Sequence, residues 1–482
     1  MRHTSFRFSL DPTPAQVALL TRHAGAYRFA YNQCLRLLTD TLEAKRTDPR
    51  AKVPWSGFDL INALNAWKRS EAAGRIFVVS PGGTIAKHVT GLAWRHEVSA
   101  QVFEEAAVDL GRALSAYAHA RKGRGDGRVG FPRRKRKGRC RDSFRLRNKT
   151  NTIRIGSGHP RSVTLPKIGT IRVNDDTRRL RRLLRPVEHI DPSSGQVVVA
   201  PRGKVLFATV SRRGDRWYVS LNVLAPDLHP KRHHAPRSDQ DHGGWVGIDR
   251  GLAIFAVAAM ADGALAGCFH APAPLQRNLI GLQQRSRALS RTRPRSRNQA
   301  KAIRQLSRYH ARIANVRRSF LHEVSSQLVK THDRLCLEDL TVDNLIRNKH
   351  LARAITDASW AEFARQLAYK QAWRGGQVMV ADRWFPSTKT CSRCGRVKDR
   401  MGLAERLFRC DGCGLVMDRD RNAAANLAAW AEAASMAAAR APDRQAGGRV
   451  SNASGGEGAS IARGDSGANP GEGGTDAHAI VA

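Results

Sequence analysis

The sequence predicts a multidomain α+β protein: an α/β core carrying an inserted zinc ribbon, together with a small β-barrel and a helical domain. Three observations carry that prediction. Two CxxC pairs, Cys391/Cys394 and Cys410/Cys413, stand fifteen residues apart, a spacing at which a hairpin can close four thiolates round one tetrahedral zinc. Two short apolar runs that end in carboxylates, Val246–Asp249 and Leu335–Asp339, alternate with helical patterns as buried strands of an α/β core do. Short β-like segments separated by Gly, Pro and Asp fill residues 152–223, and helical periodicity recurs through residues 11–120.

At 482 residues the chain has room for roughly two to four domains with their own cores. It carries 82 Lys and Arg against 41 Asp and Glu, a formal net charge of +41. Such an imbalance repels itself in a compact fold unless a polyanion neutralises it, which points to nucleic acid. A membrane fits poorly as partner, since no apolar run reaches the ~18–20 residues of a spanning helix and no signal-peptide-like apolar core opens the chain. Besides the ribbon cysteines, Cys34, Cys140, Cys268 and Cys336 are scattered without a disulfide-like framework, so a reducing, cytoplasmic location is expected.

Taken in order, residues 1–10 alternate around Phe6 and Phe8 as one strand, available to join the later barrel. Thr13-Pro14 then supplies an N-cap and a first-turn proline for the helical domain of residues 11–120. Within its first helix Tyr27, Arg28, Tyr31 and Asn32 read as ordinary packing, with contact to nucleic acid as the alternative. Residues 121–149 hold fourteen basic residues against two acidic ones. Gly and Phe interleave with them, so Arg133, Arg134, Lys135, Arg136 and Lys137 read as phosphate contacts on a basic arm. The arm and the β-rich text that follows make a barrel region of residues 121–236, of a kind that often grips nucleic acid.

From residue 237 to 390 the α/β core is expected. Val246–Asp249 is its first buried strand, Ile254–Met260 the hairpin partner, Leu335–Leu340 the next strand and Gln377–Val380 another. Residues 277–318 carry thirteen Lys or Arg and no acid along a stripe of Leu282, Leu289, Ile303, Leu306, Ile313 and Val316. Two basic helices broken near Pro294 follow, within residues 275–330, with Arg285, Arg287, Arg291, Arg308 and Arg312 as backbone contacts. The ribbon spans residues 391–414, the core resumes over 415–435 in an alanine-rich helix, and residues 436–482 read as a tail. Ala441–Ala482, rich in Gly, Ser and Ala, is expected to be disordered.

Asp249 and Glu338 end strands of one α/β pattern, and Asp418 and Asp420 stand at a helix start. A few carboxylates in that arrangement are what two-metal phosphodiester hydrolysis requires, with two Mg²⁺ about 4 Å apart. Each acid alone is weak evidence, because strand-end carboxylates are common. Asp339 should face away from Glu338 along its strand, while Asp418 and Asp420 are not separable on spacing.

The segments Val-Gly-Ile-Asp249-Arg-Gly-Leu, Leu-Cys-Leu-Glu338-Asp-Leu, Phe385-Pro-Ser-Thr-Lys-Thr-Cys391-Ser-Arg-Cys394-Gly and Cys410-Asp-Gly-Cys413-Gly, with Asp418-Arg-Asp420-Arg-Asn422-Ala-Ala, resemble the transposon-encoded TnpB nucleases and the miniature type V CRISPR effectors descended from them. Gly130-Phe-Pro-Arg-Arg-Lys and the Tyr27-Arg…Tyr31-Asn pattern extend the similarity upstream, so that it spans about residues 1–430. The resemblance implies a RuvC-type, ribonuclease-H-like core with the ribbon inserted, a wedge barrel interrupted by a recognition domain, and an RNA-guided DNA endonuclease. It assigns the Mg²⁺ ligands as Asp249, Glu338 and Asp420, and the partners as a guide RNA and a target DNA, with the protein acting as a monomer or homodimer on the RNA. Base pairing would read the target and the protein a short flanking motif. The extra length at Arg46–Val79 and the tail depart from a typical TnpB and lean the expectation towards a small type V effector. A guided binder that does not cut is the alternative, against which the intact carboxylates stand. A transposase lacks its nucleophilic Tyr or Ser in any recognisable setting.

Overall fold

A computed structural model describes the chain except residues 1, 74–75, 80, 84, 90–91, 124–128, 191–194, 227–231, 239, 403 and 441–482. The disorder expected for Ala441–Ala482 therefore lies outside the described residues. The chain divides into two units, Met1–Leu228 and His229–Ala482.

In the first unit β1 (Arg2–Asp11) leads into α1 (Pro14–Thr47). Thr13 and Gln16 exchange side-chain to backbone hydrogen bonds at the start of α1, and Pro14 fills its first turn, so the helix begins where the chain changes from alternating to helical periodicity. Next come α2 (Gly57–Arg69), β2 (Ile76–Val79), β3 (Ile85–Val89) and α3 (Gln101–Arg121). Leu20, Leu38, Leu60, Leu64, Leu110 and Leu114 are the fully buried leucines joining α1, α2 and α3. Gly111 lets α3 approach the start of α2, since a Cβ there would lie 2.5 Å from the Gly57 amide nitrogen. The hairpin of β2 and β3 adds two strands to the helical domain expected over residues 11–120.

The remaining elements are β4 (Ser143–Arg147), β5 (Arg154–Ile155), β6 (Ser162–Leu165), β7 (Gly169–Val173), α4 (Arg178–Leu184), β8 (Pro186–Ile190), β9 (Val197–Pro201), β10 (Lys204–Arg213) and β11 (Arg216–Ala225). A seven-stranded antiparallel sheet runs β4-β10-β11-β1-β7-β6-β5. The opening strand β1 sits in its middle, paired to β11 and β7. Placing β4 in this sheet shortens the basic arm expected over residues 121–149: Phe144 and Leu146 alternate into the core, and Arg145 and Arg147 on the other face pair with the buried Glu105. The arginine-rich α4 and the separate β8/β9 hairpin were not legible, α4 because its arginines mask the buried pair Leu180 and Leu183.

The second unit contains β12 (Val246–Asp249), β13 (Ala256–Met260), β14 (Leu265–Phe269), α5 (Pro274–Arg277), α6 (Leu279–Ser290), α7 (Arg297–Thr331), β15 (Arg334–Glu338), α8 (Val342–Leu345), α9 (Ala352–Ala358), α10 (Trp360–Ala372), β16 (Gln377–Ala381), β17 (Leu407–Arg409), β18 (Val416–Asp418) and α11 (Arg419–Arg440). Its five-stranded sheet has the order β14-β13-β12-β15-β16. The first three strands form an antiparallel meander, and β15 and β16 run parallel to β12, the ribonuclease-H-like arrangement that the resemblance implies. β14 was not predicted. On one face Val246, Ile248, Leu335 and Leu337 pack against Leu321, Val324 and Leu328 of α7 and Phe363 and Leu367 of α10. The other face belongs to α11, whose Leu427, Ala428 and Ala431 meet Trp245, Cys336 and Ala381.

The alanines of α11 are there for closeness. A Cβ on Gly247 would stand 1.9 Å from the Ala424 carbonyl oxygen, so the helix lies directly on β12 and both partners need small side chains. Helix continues to Arg440, which moves the tail boundary from residue 436 to 441. No helix of the described residues is long and apolar enough to cross a membrane.

Candidate metal centres and nucleic-acid interface

Cys391, Cys394, Cys410 and Cys413 each present a sulfur, and the four lie within 4.8 Å of one another. Cys391 pairs with Cys413 and Cys394 with Cys410, each at 3.5 Å between sulfurs. The turn after Cys410 aims the Cys413 and Gly412 amides at its sulfur and draws that thiol down to about 6, while burial pushes the Cys391 thiol up. Four cysteine sulfurs gathered this closely suit a tetrahedral Zn²⁺, which they would close with no open position for water.

The second cluster lies at the carboxyl end of the parallel strands. Ile248 is registered opposite Leu337, so Asp249 and Glu338 leave adjacent strands side by side. Asp420 comes to them from the first turn of α11; it and Asp249 are both buried. Burial above all, then the charges of Glu338 and Asp420 and a hydrogen bond shared with Glu338, push the Asp249 carboxyl well above the usual carboxylate range, with Arg419 opposing. Buried carboxylates held together against their own repulsion fit a divalent cation, and an all-oxygen donor set suits Mg²⁺ better than zinc. They converge less tightly than the sulfurs, since among the described residues only the cysteines bring three or more such ligand atoms within 4.8 Å of one another.

The two acids that spacing could confuse with these are drawn elsewhere. Asp418 is exposed and accepts the Arg421 amide at 2.9 Å, so it caps α11 from outside. Asp339 is exposed and ion-paired with Arg383.

Four further residues surround the acids and carry no role in the sequence-based assignment. Ser387 donates its hydroxyl to Glu338 Oε1 at 3.0 Å. Asn426 in turn donates to the Ser387 carbonyl at 2.7 Å and the Thr390 carbonyl at 2.6 Å. Asn422 donates to the Thr390 carbonyl at 2.7 Å and accepts from the Ser392 amide at 3.0 Å. Arg250, buried beside Asp249, donates to the Glu338 and Trp360 carbonyls. The asparagines are visible in sequence as polar residues repeating at i and i+4 within an alanine run, a pattern that marks one polar stripe on a buried helix. Nothing in sequence ties Ser387 to Glu338.

The basic residues separate into two groups. Arg133, Arg134, Arg136 and Lys137 line the outer side of the arm, with Arg134 and Lys137 among the exposed. Lys135 turns inward: its ammonium stands 4.7 and 4.3 Å from the Tyr27 and Tyr31 ring centres, and it donates to the Tyr27 hydroxyl at 3.2 Å. The Asn32 side chain clamps the Lys135 backbone, accepting from its amide at 2.8 Å and donating to its carbonyl at 2.9 Å. Lys135 is thus corrected from a phosphate contact to the anchor of the arm. The helix motif around Tyr27 is its socket, and Arg28 pairs there with Asp142.

In the second unit Pro294 separates α6 from α7 as expected. Arg287, Arg291, Arg308 and Arg312 stand on these two helices and the turn between them. The Arg285 guanidinium stacks 3.9 Å from the Tyr309 ring centre and donates to the Gly281 carbonyl, so that it also holds α6 to α7. The apolar stripe is also shorter than expected, with Leu282 and Ile313 buried but Ile303 and Val316 exposed.

Comparison with known proteins matches residues 360–427 to the Cas12f1-like TNB domain, residues 229–349 to the OrfB_IS605 family described as "Probable transposase", and residues 1–47 to its helix-turn-helix domain. Over 439 residues the chain is 35% identical to the "Putative RNA-guided DNA endonuclease Rv2885c" of Mycobacterium tuberculosis (strain ATCC 25618 / H37Rv), covering 90% of this chain and 87% of that protein. The chain belongs to the TnpB family of RNA-guided DNA endonucleases. A relative from Escherichia coli K12, InsQ, bears the same description and is 29% identical over 89% of this chain and 92% of its own length. Likeness to the CRISPR-associated endodeoxyribonuclease Cas12f1 of Sulfoacidibacillus thermotolerans covers 27% of this chain and 30% of that protein, at 24% identity. Among solved structures, CasPhi-2 (Cas12j) bound to crRNA matches 90% of this chain and 98% of its own, at 14% identity and a TM-score of 0.37.

Proposed function

We propose that this TnpB-family chain binds a guide RNA and cuts guided target DNA at Asp249, Glu338 and Asp420. The observation that carries the reading is the convergence of these carboxylates, two of them buried, on the β12/β15 strand ends, in a chain whose relatives over most of its length are named for that activity. Asp249 and Glu338, fixed by strand register, and Asp420, delivered by α11, would hold two Mg²⁺. Such ions, when bound, supply positive charge to the phosphate and the departing 3′ oxygen and acidify an attacking water.

The protein supplies position. Arg419 pairs with Asp420 at 3.2 Å, Ser387 holds one oxygen of Glu338, and Arg250 ties the Glu338 backbone to the start of α10. Pre-set ligands need no reorganisation when charge develops at the phosphate. Zn²⁺ in the ribbon is structural in this reading, and the outward arginines of the arm and of α6 and α7 track nucleic-acid backbone.

Sequencing the RNA that co-purifies with the protein tests the guided half of the proposal. RNA from a transposon end or from a CRISPR repeat supports it and separates the two lineages, whereas random cellular RNA with no effect on cutting defeats it. Cleavage of a matched duplex in Mg²⁺ tests the nuclease half, and Asp249→Ala must abolish it.

A further inference from the structure

Just beyond β16 the chain presents a tryptophan ring almost entirely to solvent. Trp384 is 86% exposed, more than any other large apolar side chain among the described residues. Its backbone is nevertheless pinned. The Trp384 amide donates to Asp382 Oδ1 at 2.8 Å, and the amides of Phe385 and Ser387 close successive turns onto the Asp382 and Phe385 carbonyls at 3.1 and 2.8 Å. Phe385, next in the chain, packs its ring on Trp430. The indole is therefore held out on a rigid turn, where a floppy loop could have folded it away.

Its place in the sheet gives it a use. Ala381, the last residue of β16, is registered opposite Glu338, and three residues extend at most ~11 Å. Trp384 thus stands at the same sheet end as the carboxylates, and three residues further on Ser387 holds Glu338. Beside it Arg383 is neutralised by Asp339, so the local surface offers an aromatic face more than a charge. A flat, exposed ring beside a phosphodiester-cutting centre matches the face of an unstacked base, and duplex bases are already stacked on one another.

We infer that Trp384 is a stacking platform that holds one base of a single-stranded DNA segment next to the carboxylate site, fixing which phosphate reaches it. The inference rests on the nuclease reading above. It adds a positioning residue that reads no base identity, since every base offers a π-face.

The test uses full-length, guide-loaded protein and a double-mutant cycle. Single-stranded DNA oligonucleotides carrying one abasic site at successive positions are bound in Ca²⁺ to the wild type, Trp384→Ala and Trp384→Phe, with unchanged zinc content and Tm as the folding control. Trp384→Ala should bind intact DNA on the order of 5- to 100-fold more weakly, the size of a single base–aromatic stack, and Trp384→Phe should recover most of it. One abasic position should weaken the wild type equally and leave Trp384→Ala unaffected. In Mg²⁺ the same variant should raise KM, shift the cut position and leave kcat close to wild type. Equal weakening of both proteins at every abasic position overturns the inference, as does a Trp384 dependence seen with RNA of the same sequence and not with DNA. Because the binding cycle needs no cutting, an inactive wild type with the coupling present would count against the nuclease reading while upholding the stack.

Discussion

At the scale of single residues, function and stability are set against each other. Asp249 carries a carboxyl that burial and two neighbouring acids push well above its usual range, so its ionised form costs stability until a cation neutralises the cluster. Asp249→Asn should therefore raise Tm in metal-free buffer at neutral pH while lowering guided cutting by on the order of 10³-fold or more. Added Mg²⁺ should raise the wild-type Tm by mass action and leave that of the variant nearly unchanged. Calorimetry with and without EDTA decides it, and an equal Mg²⁺ shift in both proteins would refute the metal assignment. Asp418→Ala, outside the cluster, should lose only the capping contribution of about 1 kcal/mol and keep its activity.

Elements act here as rigid carriers of those residues, and α11 is set on β12 by a single close approach. Gly247→Ala forces a methyl into the Ala424 carbonyl and should cost about 1–3 kcal/mol of stability, with cutting impaired further because α11 carries Asp420. Chemical denaturation against the cleavage rate measures both. The basic arm makes a contrast between neighbours. Replacing Arg134 and Arg136 with Gln should flatten the log–log salt dependence of nucleic-acid binding by about 0.9 for each duplex phosphate that is no longer neutralised. Lys135→Met should leave that slope alone and instead lower Tm, since it removes a cation seated on two rings, worth about 0.5–2 kcal/mol. Lys135 changing the slope while Arg134 does not would reverse the assignment.

Across the molecule, the ribbon and the carboxylate site are linked through one segment. Asn422 and Asn426 bind the chain between Ser387 and Ser392, and that segment both enters the ribbon at Cys391 and holds Glu338 through Ser387. About one zinc per chain is expected from the four-thiolate set, lost on Cys410→Ser. Because the ribbon's entry is also the support of Glu338, that variant should cut at least about tenfold more slowly, the low end of what removing a ligand's outer support costs, while the circular dichroism of the rest of the protein stays near wild type. Metal analysis alongside cleavage rates tests this, and a zinc-free variant cutting at the normal rate would show the two sites to be independent.

Much of this was legible before folding because it depends on local chemistry. Cysteine spacing declares a zinc site since the metal itself dictates the ligand geometry. The apolar runs at Val246 and Leu335 declare buried strands, and the surplus of Lys and Arg declares a polyanionic partner. What sequence could not supply was direction and proximity. Asp418 and Asp420 differ by two positions, and only the docking of α11 on Gly247 turns one into the cluster and leaves the other capping the helix. Lys135 is chemically like its neighbours, yet the socket of Tyr27, Tyr31 and Asn32 takes that one inward. Ser387 meets Glu338 across forty-nine residues of chain, a contact no local pattern encodes, because long-range pairs are decided by how the layers pack and not by the residues' own preferences.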